Sequence, residues 1–154
     1  DINIELLKIA NKSGIITIYD PGPPNKYNNY DHFKFVDFLT PNKHEAEYLL
    51  GKKIDGIELE AAKELKEIGA KHVIITLGSE GLVYSGDFDK IFKPIQVNSI
   101  DPGGSGDCFN GALASMINKG ENIINSITFA QKAASLSTTR KGASQSFPFL
   151  DEIK

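Results

Sequence analysis

Apolar residues recur along this chain with two periods, and glycine or proline punctuates the breaks between them. Residues 4–12 (IELLKIANK) carry the helical period and stop at Gly14, the usual left-handed terminator. Residues 15–19 (IITIY) form a β-branched run that predicts a strand buried on both faces, cut by Asp20-Pro21-Gly22-Pro23-Pro24. The polar, tyrosine-bearing residues 25–32 read as a loop whose rings pack on the surface. A strand is expected over 35–39 (FVDFL), ended by Thr40-Pro41, then a helix over 42–50 closed by Gly51. A helix over 59–68 with alternating charges ends at Gly69 and is read as solvated surface without chemistry. Strands follow at 72–76 and 82–84 with a turn at 77–81 between them, then a strand over 90–97. In the next helix Phe109, Ala112, Leu113, Met116 and Ile117 fall at i, i+3, i+4, i+7 and i+8. After Gly120 a long helix is expected over 122–138. Strands alternating with helices predict an α/β fold with a mostly parallel sheet, without internal repeat or second domain boundary.

Composition narrows the function classes. The chain has 154 residues, a formal charge of −3, 40% hydrophobic and 24% charged residues, which fits one soluble domain with a proper core. Mild acidity argues against a nucleic-acid partner, whose binders carry a basic face. The single cysteine, Cys108, excludes an internal disulfide framework and reads as a small apolar filler. No apolar run reaches the roughly 20 residues that span a bilayer, and no signal peptide is visible, so a cytoplasmic protein without a membrane partner is expected.

The strongest chemical signal lies in residues 97–114, VNSIDPGGSGDCFNGALA. A β-like run ending at Ile100 meets a glycine-dense turn and then a helix. The first amides of a helix lack partners and sit at the positive end of its dipole, so this arrangement binds anions. Asp107 is the anomaly, because a carboxylate at the mouth of a phosphate cradle repels the phosphate. It makes sense if that carboxylate takes a proton from a hydroxyl attacking the phosphate; the simpler alternative is a first-turn Asp acting as a cap. GSGDCF lacks the third glycine of GxGxxG, no GxxxxGK[ST] occurs, and GGSGD ends in Asp107 where a nucleophile elbow has Gly.

Other candidates have structural alternatives beside them. Asn42 and Glu45 share one face at a helix start, as in a capping box. Gly78 and Gly81 suit a close backbone approach to a ligand or an ordinary hairpin turn. Small residues in the last long helix, Ala130, Ala133, Ala134, Ser135 and Ser137, allow close packing. Gln131 there reads as a surface residue. Arg140 and Lys141 form a basic loop, and His32, His44 and His72 have no metal-ligand spacing.

DPGGSGDCFNGALA resembles the C-terminal signature of the ribokinase-like (pfkB) carbohydrate kinases, usually written DTxGAGDxFxGA. Asp101, Gly104, Gly106, Asp107, Phe109 and Gly111 stand in place, while Pro102, Gly103 and Ser105 depart from the commonest letters. TPNKHEAE resembles the family's N-x-x-E motif, TLGSEG its TLGxxG turn, and DPGP its NPAP with a changed first residue. TRKGASQS resembles the TRKGAQPS of a narrower group, the ribokinases proper.

The resemblance implies a three-layer αβα fold and an ATP-dependent kinase acting on the primary hydroxyl of a sugar. D-ribose yielding ribose 5-phosphate is the expected reaction. Asp107 is then the catalytic base, and the amides around Gly104, Ser105 and Gly106 form the anion hole. Asn42, Thr76, Gly78, Gly81, Gly106 and Gln131 face the nucleotide. Glu45 organises the water shell of Mg²⁺, with Glu47 a weaker candidate. K⁺ is held by the Asp101 side chain, the backbones of Gly103, Ser137, Arg140 and Gly142, and Ser146. Family members are longer, with sugar-reading residues and a lid mainly in the N-terminal half, so residues 1–154 are expected to be the C-terminal, nucleotide-binding part. A homodimer contact would run through that missing lid, and the 154 residues alone are expected to be inactive. The alternatives are a kinase of a heptose, fructose or a nucleoside, and a non-catalytic nucleotide-binding module.

Overall fold

Helix α1 (Ile2–Lys12) opens a computed structural model that describes residues 2–22 and 30–153. The expected loop at 25–29 lies outside the described residues. The chain divides into two compact units, Asp1–Phe92 and Lys93–Lys154.

In the first unit α1 buries Leu7 and stops at Gly14, where Ile15 N–H reaches back to Ala10 O (2.9 Å). The strand predicted over 15–19 shrinks to β1 (Ile18–Tyr19), and Ile15 and Ile16 are 59% and 56% exposed instead of buried on both faces. The strand predicted over 35–39 is likewise shorter. Asp31–Phe35 coils into a 3-10 turn that buries His32 and Phe33, and only Phe38–Leu39 remains as β2. Tyr30, expected on a surface loop, stacks on Phe33 at 5.2 Å. Asp37, just before β2, accepts at its carboxylate from Thr17 N–H (2.9 Å) and Thr17 Oγ1 (3.1 Å) ahead of β1, and at its carbonyl from His72 N–H (2.8 Å).

Helices α2 (Lys43–Leu50) and α3 (Glu58–Ile68) carry the chain over to β3 (His72–Thr76), the crossover that a parallel neighbour requires. The short turns after β3 and after β4 (Leu82–Ser85) permit only antiparallel partners, so β4 and β5 (Asp89–Phe92) close the sheet in that sense. The order is β1-β2-β3-β4-β5 with two parallel and two antiparallel pairings, a mixed sheet rather than the mostly parallel one expected. One core cluster joins Leu39, Val73, Ile75 and Val83 of the sheet to Ala61, Ala62 and Leu65 of α3. The charged residues of α3 therefore lie on its outer side, as its pattern indicated. Phe38, His72 and Tyr84 stack in a row, with His72 Nδ1 2.9 Å from Tyr84 Oη. Burial pushes the His72 pKa down.

The second unit is a helix pair. Helix α4 (Ser105–Asn118) buries Cys108, Phe109 and Leu113, and α5 (Ile123–Ser137) buries Ile127, Ala130 and Ala133. Asn122 caps α5, its Oδ1 accepting from Asn125 N–H (2.9 Å). Cys108 is the buried filler expected, its thiol pKa raised by burial. The strand predicted over 90–97 ends at Phe92, and the β-like run before Asp101 is not a strand. Instead Ile100 and Asp101 both donate their N–H to Thr138 O, at 2.7 and 3.0 Å, so the C-terminal end of α5 supplies what a strand partner would have. No helix among the described residues is long and apolar enough to cross a membrane.

Candidate active site

In the first unit, β1, β2 and β3 run parallel, so their carboxyl ends share one edge, where open α/β sheets place ligands. Asp20 follows β1, Asn42 and Glu45 follow β2, and Thr76 ends β3. Asn42 and Thr76 are bridge partners, and Thr76 N–H donates to Pro41 O (3.0 Å). Asn42 and Glu45 form a full capping box: Glu45 N–H donates to Asn42 Oδ1 (3.0 Å) and Asn42 N–H to Glu45 Oε2 (2.8 Å). Burial raises the Glu45 pKa, and the nearby charge of Asp20 adds to the rise. That second carboxylate belongs to the changed first residue of the DPGP stretch. Gly78 lies exposed in a 3-10 turn, and Gly81 is buried as its closing residue, its N–H on Gly78 O (3.2 Å).

In the second unit, Asp101 holds two loops at once. Its Oδ1 accepts from Gly103 N–H (2.9 Å) and its Oδ2 from Gly142 N–H (2.9 Å), and these bonds, Gly142's first, lower its pKa. Gly104 follows with φ +76°, a left-handed conformation that only glycine adopts without strain. A Cβ there would lie 2.9 Å from Ala143 Cβ and 3.1 Å from Ala143 Cα, so glycine is also demanded by space. Ser105 N–H turns back to Pro102 O (3.2 Å), and Cys108 N–H makes the first bond of α4, to Gly104 O (3.0 Å). The N–H groups of Gly106 and Asp107 have no partner among the described residues, and no side chain caps this helix.

That last fact separates the two roles open to Asp107. Unlike Glu45, its carboxylate makes no capping bond; it is exposed, in the first turn, beside the unpartnered amides. Its setting suits a group that receives a proton from a bound hydroxyl.

Gln131 is buried rather than superficial, and its Nε2 donates to Lys93 O (2.8 Å). Ser137 and Ser146 are buried as well, their hydroxyls donating to Ala134 O (2.8 Å) and Ala143 O (2.7 Å). Arg140 pairs through its guanidinium with Glu152, a partner the sequence pattern did not indicate. The carbonyls of Gly103, Arg140 and Gly142 accept no bond among the described residues. With the Asp101 carboxylate they make an oxygen-only donor set, which fits a hard cation. No group of three His, Cys, Asp or Glu side chains among the described residues could cage a metal.

A profile described as pfkB family carbohydrate kinase matches residues 1–150. A ribokinase of Staphylococcus aureus (strain COL) is 34% identical over 154 residues, covering 97% of this chain and 50% of that protein. The solved ribokinase of Thermotoga maritima superimposes with a TM-score of 0.85 at 34% identity, over 96% of this chain and 50% of that one. The Arabidopsis thaliana ribokinase complexed with ribose and ATP gives a TM-score of 0.88 at 28% identity, over 99% and 50%. The chain thus spans about half the length of the curated relatives it matches.

Proposed function

This chain belongs to the pfkB family of carbohydrate kinases, and on that premise we propose that it carries the nucleotide-side catalytic half of an ATP-dependent sugar kinase, with D-ribose as substrate. The observation that carries the reading is the uncommitted Asp107 carboxylate beside the unpartnered amides of α4. Asp107 takes the proton of the primary hydroxyl as that oxygen attacks the γ-phosphorus in line, while the bond from that phosphorus to the β–γ bridging oxygen breaks and ADP leaves. The unpartnered N–H groups of Gly106 and Asp107 receive the charge growing on the phosphoryl oxygens, and Gly104 and Ser105 form the turn that presents them. Asn42, Thr76, Gly78 and Gly81 of the first unit and Gln131 of the second are each assigned to nucleotide binding. Glu45 would order the water shell of a Mg²⁺ ion, whose chemistry would be to neutralise phosphate charge, and the Asp101 side chain, the backbones of Gly103, Ser137, Arg140 and Gly142, and Ser146 would hold K⁺.

The half-fold reading has its own support. Ile2, Leu6 and Ile9 form an exposed stripe on α1, Ile15 and Ile16 are exposed after it, and the outer edge of β1 pairs with no described strand. Such an apolar surface beside an open edge is the kind that a further strand and helix cover. The sugar-reading half of the kinase is their proposed occupant.

The test is ADP release by the complete protein with D-ribose, with and without K⁺. Ribose-dependent, K⁺-stimulated turnover is expected. Turnover with another sugar or a nucleoside alone would discard ribose and keep Asp107, and no turnover with any would remove the kinase reading. Activity from the 154 residues alone would overturn the half-fold reading.

Glu45→Gln separates cation chemistry from folding. Glutamine keeps the capping box, and it removes a carboxylate whose folded pKa is raised. A raised pKa means that stability is full at low pH and declines as pH rises through it. The variant is therefore expected to match or exceed the wild-type Tm at neutral pH and to lack that decline, read by thermal melts across the carboxylate range. The Mg²⁺ concentration for half-maximal turnover is expected to rise about tenfold or more, as for other outer-shell ligands.

A further inference from the structure

Glu152, close to the end of the chain, is engaged by three donors. Its Oε1 pairs with Arg140 Nη2, while its Oε2 accepts from Arg140 Nη1 (3.3 Å) and from Phe149 N–H (2.7 Å). Arg140 opens the loop whose Gly142 N–H is held by Asp101 Oδ2 (2.9 Å), and the other Asp101 oxygen holds Gly103 N–H (2.9 Å). Ala143 of the same loop lies so close to Gly104 that a Cβ there would come within 2.9 Å of it. One path therefore runs from Glu152 by its ion pair to Arg140, along the backbone to Gly142, and by hydrogen bonds through Asp101 to the turn that precedes α4.

We propose that Glu152 is a positioning residue for the anion-binding turn, acting through Arg140. The planar guanidinium matches a carboxylate on two nitrogens, so the pair fixes direction as well as distance. Lysine at position 140 would keep the charge and lose the direction. The ion pair is partly exposed, with side-chain exposures of 40% and 34%, so it contributes little to global stability; its effect is local order in the loop. The same loop presents the carbonyls of Arg140 and Gly142, so Glu152 also sets the oxygen set assigned to K⁺. That second consequence rests on the kinase reading; the first does not.

The test is residue-resolved amide hydrogen exchange on the complete protein and on Glu152→Gln, a surface change compatible with folding. Exchange at Gly142 and Gly103 is expected to quicken by roughly three- to tenfold, the scale set by an exposed ion pair, with Tm nearly unchanged. A merely structural role in the C-terminal turn would quicken exchange only over residues 149–153 and would overturn the proposal. The exchanged pair Arg140→Glu with Glu152→Arg is expected to bring the Gly142 and Gly103 rates back toward wild type; failure to do so while Glu152→Gln matches Arg140→Ala would also overturn it. If the protein phosphorylates sugar, Glu152→Gln should raise the K⁺ concentration for half activation and lower kcat, because the same loop holds the turn that aims the α4 amides. If it does not, the kinase reading falls and the exchange result is still decisive for Glu152.

Discussion

Asp107→Asn is expected to lower sugar-dependent turnover of the complete protein by roughly 10³-fold, within the range that a positioned general base contributes. Asparagine has the shape of aspartate and cannot accept the hydroxyl proton. Because Asp107 makes no capping bond, the exchange removes no contact that holds α4, and Tm should barely move. ATP affinity should be equal or slightly higher, since a negative charge beside the phosphates is gone. Single-turnover kinetics and an ATP titration read the two quantities separately. Turnover within a few fold of wild type would remove Asp107 as the base; a parallel loss of ATP binding would instead make it a binding residue.

Gly104→Ala is expected to be the most damaging small substitution in the second unit. A left-handed backbone at a non-glycine residue costs about 1–2 kcal/mol. The new methyl would also stand 2.9 Å from Ala143 Cβ and 3.1 Å from its Cα, an overlap with backbone that cannot swing aside. Overpacking of that kind adds about 1–3 kcal/mol. Gly120 provides the internal control, with the same φ of +76° and nothing within 4 Å of an added Cβ. Gly120→Ala should therefore lose the strain component alone. Denaturant melts of the two variants compare them directly. Equal losses would show that Ala143 yields to the added methyl. A larger loss at Gly104, with weakened ATP binding, is the expected result, because relief of the overlap must displace the amides that follow.

Helix ends and turns were legible in the residues because their determinants lie within a few positions. The Asn42-x-x-Glu45 pair closes on itself as a capping box, Asn122 caps α5, and Gly14 stops α1, each through bonds spanning five residues or fewer. The glycine-rich turn and Asp107 were legible for the same reason. What misled was apolar content taken as strand. Ile15 and Ile16 are β-branched yet lie exposed before the two-residue β1, and the apolar residues after Phe92 form no strand. A strand exists only where another backbone meets it, and the sheet's mixed sense followed from turn lengths between β3, β4 and β5.

Side-chain assignments divided along the same line. Whether Glu45 and Asp107 were caps or reacting groups could not be read from spacing, since both occupy the first turn of a helix; the structure uses one as a cap and leaves the other open. Residue types and local periods thus determined the elements, the caps, the candidate turn and the family signature, because these depend on contacts within one helical turn. Tertiary structure alone decided which groups hold one another across the chain. Asp101 meets Gly142 across 41 positions, and Gln131 meets Lys93 across 38. Closure over such distances is set by the packing of whole elements, on which a short stretch of sequence has no bearing.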